Sequence, residues 1–225
     1  MSSCSTITVS VSSSGTRSLT LLTPSRCIGS GRFFSTQASG RLADVLKVEI
    51  EEEKKANENR MSQPIGVPGF QVEADGAEVK LVKTQISDDS VVKVTVQFNV
   101  SGTAENSLEG EVESAPPFSV IVEKGDQKLS FECDYNVATG EEQQDENIDQ
   151  FSIVEVSMYS GEFNNKVYAV STSVLDENLY QHFLDYLAEF GINQDFADKL
   201  SHFSTGYEQS LYVGLLEKMK DFVAK

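Results

Sequence analysis

The chain has 225 residues, 39% of them apolar, with a slightly negative mean hydropathy, which suits one globular domain with an appendage or two small domains. No apolar run approaches the roughly 20 residues of a transmembrane helix, so no helical membrane span is expected. The formal net charge is −17, from 35 Asp and Glu against 18 Lys and Arg, and direct binding of a polyanion such as nucleic acid is not expected of such a chain.

The charge is unevenly spread. Residues 1–43 hold Arg17, Arg26, Arg32 and Arg41 but no Lys, Asp or Glu. Arginine without acids in a Ser-rich start (Ser2, Ser3, Ser5) is the composition of an organellar transit peptide, and no continuous apolar stretch supplies a secretory signal. The Ser-rich start also resembles chloroplast transit peptides. Gly31-Arg32-Phe33-Phe34-Ser35-Thr36 resembles plant mitochondrial processing sites, with cleavage expected between Phe34 and Ser35. Residues 1–34 are therefore expected to be a mitochondrial transit peptide and 35–225 the working domain. That domain carries 15 basic and 35 acidic side chains, a net of −20. It keeps Cys133 as its one thiol, so no intrachain disulfide staples it.

A helix is predicted over Arg41 to about Asn59, with Leu42, Val45, Leu46 and Ile50 at helical spacing and Glu51 four residues before Lys55. Pro64, Gly66, Pro68 and Gly69 end it. From Phe70 the apolar period becomes two. Phe70–Ala74 and Ala77–Gln85 flank a turn at Asp75-Gly76. Val91–Val100 places Val92, Val94, Val96, Phe98 and Val100 on one side, which implies a sheet with one buried and one polar face. A loop is expected over Ser101–Pro117, with Glu105, Glu109, Glu111 and Glu113. Strands Phe118–Glu123 and Gln127–Tyr135 flank Gly125-Asp126, and Leu129, Phe131, Cys133 and Tyr135 share a face. A second acidic loop, Thr139–Asp149, precedes strands near Gln150–Tyr159 and Lys166–Thr172.

The end of the chain is helical. Asp176 is placed to N-cap a helix bearing Leu179, Phe183, Tyr186, Leu187 and Phe190, with Gly191 where a left-handed cap belongs. Asn193 opens a longer helix striped by Phe196, Leu200, Phe203, Tyr207, Leu211, Leu215, Met219 and Phe222. That stripe has more apolar face than one small sheet covers, and part of it is expected to meet another subunit. The whole reads as an α+β domain: one helix, a seven-stranded twisted antiparallel sheet, then two helices.

Several segments are similar to the mitochondrial glycoprotein family, also called the mitochondrial acidic matrix protein family. They are Phe151-Ser152-Ile153-Val154-Glu155-Val156-Ser157, the run from Phe183 to Ile192, Phe196-Ala197-Asp198-Lys199-Leu200, and the ending Leu216-Glu217-Lys218-Met219-Lys220-Asp221-Phe222-Val223. The resemblance covers roughly Gly40 to Lys225. It implies a ring-shaped homotrimer of the mitochondrial matrix that supports oxidative phosphorylation and mitochondrial translation by binding proteins. The first acidic loop is shorter here than in the family's animal member, whose binding of a complement component is not carried over.

The residues themselves give little chemistry. His182 lies beside Asp185 and Glu189 on a polar helix side, and His202 lies beside Asp198 on another, as solvated histidines do. Cys133 belongs to an apolar strand face and reads as an inert buried thiol. No phosphate-cradling loop or G-x-S-x-G elbow occurs, and no cofactor is expected. Nucleic acid would need Lys80, Lys83 and Lys93 to gather into a patch. The acidic loop offers Glu141, Glu142, Asp145, Glu146 and Asp149 as a surface for basic matrix proteins, such as ribosomal or respiratory-assembly proteins. The alternative is a matrix Ca²⁺ buffer, although the acids lack EF-hand spacing.

Overall fold

The computed structural model describes residues 36–58, 66–87, 90–101, 104–106, 112–136 and 150–225. Helix α1 spans Thr36–Glu58, starting five residues earlier than Arg41. Of the four apolar positions read as one stripe, Leu46 and Ile50 are buried, against Leu216 and Val223. Leu42 and Val45 stay exposed, because α1 meets the rest of the chain along a single narrow seam.

Strands β1 (Gln71–Asp75) and β2 (Glu78–Ser87) form the first hairpin. Its last pair is Asp75 with Glu78, so the two loop residues are Gly76 and Ala77, one step later than Asp75-Gly76. Gly76 has φ 58°, a conformation that favours a residue without Cβ. β3 (Ser90–Asn99), β6 (Phe118–Lys124), β7 (Gln127–Tyr135), β8 (Phe151–Ser160) and β9 (Ala169–Ser171) complete a sheet of seven antiparallel strands in the order β1-β2-β3-β6-β7-β8-β9. The alternation on β3 is realised: Val92, Val94, Val96 and Phe98 are all buried.

Two further features differ from the sequence expectation. The segment read as a loop over Ser101–Pro117 contains a small ribbon of its own, β4 (Ala104–Asn106) paired with β5 (Val112–Ser114). The last strand is also shorter than Lys166–Thr172. Its first residues are in a turn closed by Val167 N donating to Asn164 O at 3.0 Å, and Thr172 begins a 3₁₀ turn.

Helix α2 spans Glu177–Glu189 and α3 spans Gln194–Val223. The expected caps form, with Asp176 Oδ1 accepting from Asn178 N and Asn193 Oδ1 accepting from Phe196 N, each at 3.0 Å. Between them the chain makes a Schellman turn. Ile192 N donates to Leu187 O, Gly191 N donates to Ala188 O, and Gly191 takes φ 85°. Lys83 Nζ adds a cation at this helix end, donating to Phe190 O at 2.9 Å.

Both helices cover the apolar face of the sheet. Phe131 meets Phe183 edge-on at 5.5 Å, Phe70 and Phe118 meet Phe196, and Phe98 meets Phe203. α3 also carries the β4–β5 ribbon. Ser201 Oγ donates to Ser114 O at 2.9 Å, and Ser114 N donates to Thr205 Oγ1 at 2.8 Å. At 30 residues, α3 is about 45 Å long, far longer than the strands it crosses. Its first half seals the sheet, and its second half meets α1.

Candidate functional site

Three regions bear on function: the two acidic loops, the sheet face turned away from the helices, and the outer seam of α1 and α3. Glu141, Glu142, Asp145, Glu146 and Asp149 lie outside the described residues, as do Phe34 and Ser35. The root of the second acidic loop is built into the fold. Asn136 N donates to Gln150 O at 2.9 Å, closing the neck. Gln150 then bonds through its backbone N to the Gln194 side chain and through Nε2 to Asp198. The insertion thus leaves the sheet at the first turn of α3, where Asp195 and Asp198 add two further carboxylates.

The sheet face away from the helices is mostly polar, interrupted by Val82, Ile86, Val91 and Ile121. One transect in register runs Glu73, Lys80, Gln97, Ser119, Glu132, Glu155 and Ser171. Lys80 stands opposite Glu73, and Lys93 opposite Glu123. Glu123 also sits 3.6 Å from Lys128 Nζ. Lys83 has the opposite parity, points towards α2, and lies 5.5 Å from the centre of the Phe70 ring. The three lysines therefore make no basic patch, since two face carboxylates and the third is on the other side of the sheet. Glu132 accepts from Ser119 Oγ and Ser130 Oγ, and directly opposes Glu155.

The candidate nucleophile and bases are not assembled. Cys133 is buried, and its thiol is pushed well above the ordinary range, first by burial and then by the charges of Glu132 and Asp134. A thiol so held is unreactive. His182 Nδ1 lies 3.6 Å from Asp185 Oδ2 on an exposed surface, and His202 is exposed on α3. Among the described residues, no group of three or more His, Cys, Asp and Glu side chains is placed to hold a metal ion, and no helix is long and apolar enough to cross a membrane.

The outer seam is the region of greatest apolar exposure. α1 and α3 are tied together by Lys54 Nζ bonded to Glu217 at 2.7 Å and by Gln209 bonded to Glu53. Beyond the small shared core, Leu42, Val45 and Val48 of α1 and Tyr212, Leu215, Met219 and Phe222 of α3 face water, Val45 at 63% and Phe222 at 78% exposure. The α3 residues recur three and four apart, so they form one continuous stripe.

A profile of the mitochondrial glycoprotein family matches residues 44–223. The chain belongs to the mitochondrial glycoprotein family. A human relative, "Complement component 1 Q subcomponent-binding protein, mitochondrial", is 33% identical over 210 residues, covering 84% of this chain and 72% of the relative. A Caenorhabditis elegans relative, "Conserved regulator of innate immunity protein 3", is 32% identical over 199 residues, covering 82% and 83%. Two solved structures share the fold. A Leishmania major protein described as a sequence homologue of human p32 superposes with a TM-score of 0.60 at 16% identity, over 83% of this chain and 99% of that one. The Trypanosoma brucei p22 protein gives 0.59 at 18% identity, with the same coverage. At those identities the likeness is one of fold. The family's mammalian relatives are named as mitochondrial binding proteins.

Proposed function

We propose that residues 35–225 form an acidic, non-catalytic scaffold of the mitochondrial matrix that captures basic proteins and acts on them in a chaperone-like way. Ribosomal and respiratory-assembly proteins are the partners that fit, which would place the chain in support of mitochondrial translation and oxidative phosphorylation. Residues 1–34 would be the transit peptide, removed between Phe34 and Ser35. The carrying observation is the acid excess: 35 carboxylates against 15 cations over residues 35–225, with Lys54, Lys128 and Lys199 already paired to carboxylates. Such a field draws basic partners at salt-dependent rates.

The assembly proposed is a homotrimer. It is supported by the apolar stripe on α1 and α3, which an isolated chain leaves in water. Three copies would concentrate a charge of about −60 in one particle. Glu141, Glu142, Asp145, Glu146 and Asp149, in the sequence between Asn136 and Gln150, are proposed as the partner-binding surface.

The test is capture from mitochondrial matrix extract on the immobilised chain, followed by elution in stepped salt. Basic ribosomal or respiratory-assembly proteins should leave at moderate salt and be lost when those five carboxylates are changed to amides. Undiminished capture by the amide variant would contradict the assignment to that loop. The acid density of the same loop also motivates the Ca²⁺-buffer alternative, which calorimetry separates. Heat at millimolar Ca²⁺, abolished in the amide variant, would favour the buffer, and no heat would end it.

A further inference from the structure

The connection from β8 to β9, residues 161–168, is ordered by its own hydrogen bonds. Asn164 Oδ1 accepts from Lys166 N at 3.1 Å, Asn164 Nδ2 donates to Glu162 O at 3.4 Å, and Val167 N donates to Asn164 O at 3.0 Å. Apolar burial contributes little to that order. Phe163 is 59% exposed, and its ring rests edge-on against Tyr159 at 5.4 Å. The loop therefore fixes the place of the Phe163 ring against Tyr159 and leaves its outer face open to water.

The charges around the pair indicate what that open face can take. Tyr159 stands opposite Lys128 in register, so its ring and that of Phe163 are on the polar sheet face. Lys128 is already 3.6 Å from Glu123. Further along β8, Glu155 opposes Glu132, and among the described residues neither forms an ion pair with a lysine or arginine. The Tyr159 hydroxyl is raised above its ordinary range, first by burial; Lys128 opposes that shift, and Glu132 and Glu123 add to it. The platform therefore sits beside carboxylates that lack a full complement of cations.

We propose that the Tyr159–Phe163 platform takes an arginine side chain of a basic protein partner, with the guanidinium over the exposed Phe163 ring and a second cation of the same segment set against Glu132 and Glu155. The carboxylates lie four residues from Tyr159 along β8, about 13 Å, a span that an extended segment of four or five residues covers. Arginine fits better than lysine, because its planar, weakly hydrated guanidinium stacks on an aromatic face. The inference rests on the basic-partner reading and adds a surface, a residue type and a contact to it.

The probe is a labelled nona-arginine peptide, titrated into the full chain at low salt and followed by fluorescence anisotropy. Phe163→Ala should weaken binding about five-fold. Phe163→Leu, which keeps apolar bulk without a π face, should weaken it nearly as much. Tyr168→Ala, removing a ring that is 81% exposed on the same connection, should change nothing. Peptide binding that is equal in wild type and Phe163→Ala would overturn this site while leaving the acidic-scaffold reading standing. A change of particle mass in Phe163→Ala would assign the ring to a contact between copies and also overturn it. If the wild-type chain fails to bind the peptide at all, both the scaffold reading and the site fall.

Discussion

The two halves of α3 share one helix and one apolar spacing but serve different surfaces. Along the first half, Phe196, Ala197 and Leu200 are sealed by the sheet, and Tyr207 is pinned where its hydroxyl donates to Gly76 O at 2.7 Å. Along the second half, Leu216 is buried under α1 while Tyr212, Leu215, Met219 and Phe222 meet water. Periodicity records that a helix has an apolar face but not which molecule covers it. The inner half is core, and the outer half is proposed as the surface where copies of the chain meet.

The largest expected effect breaks the inner half. Leu200→Ala empties a fully buried position and should cost about 2–5 kcal/mol in urea unfolding. Leu215→Ala on the outer half should cost far less in any species already dissociated, and equal costs would erase the distinction. Next, Val45→Glu with Phe222→Glu should reduce particle mass in light scattering while leaving the circular dichroism of the sheet and helices intact. A variant that keeps its mass would remove the outer stripe from the assembly.

Smaller effects sharpen the boundary between the two halves. Asn193→Ala removes the cap that accepts from Phe196 N and should cost about 1 kcal/mol. It should act on stability and leave mass unchanged, because the cap belongs to the sheet-covered half. The smallest effect is alkaline. Cys133 and Tyr135 have ordinary pKa values of 9.0 and 10.0, and burial, their largest influence, raises both in the fold. The unfolded chain therefore releases these protons first, so stability is full below about pH 8 and falls as pH rises through 9 and 10. Cys133→Ala should lose less of its stability between pH 8 and pH 10, measured by urea midpoints. An identical loss would place the alkaline sensitivity elsewhere.

The sheet was legible because its signals are local. Val92 to Phe98 alternate, Gly125-Asp126 marks a turn, and Asp176 and Asn193 cap where they stand. The β4–β5 ribbon was not legible, since what orders it is a pair of hydroxyls on α3, Ser201 and Thr205, some ninety residues away. Composition does not separate Lys83 from Lys80 and Lys93, and only strand parity shows that it turns to the helix side. Phe163 gives no sequence signal for a related reason: a single aromatic in a polar loop has no period, and its pairing with Tyr159 exists only in three dimensions. The division of α1 between Leu46 and Ile50 inside and Leu42 and Val45 outside depends on the narrow seam with α3, which spacing cannot report.

On the proposed assembly, the outer half of α3 joins copies of the chain and so concentrates their charge. Light scattering on the purified full chain tests it directly. A particle of three times the 24.7 kDa chain mass, unchanged over a range of protein concentration, is the predicted result. A particle of one chain mass would contradict the claim, leaving the exposed stripe unexplained and the acidic field a third of its proposed strength.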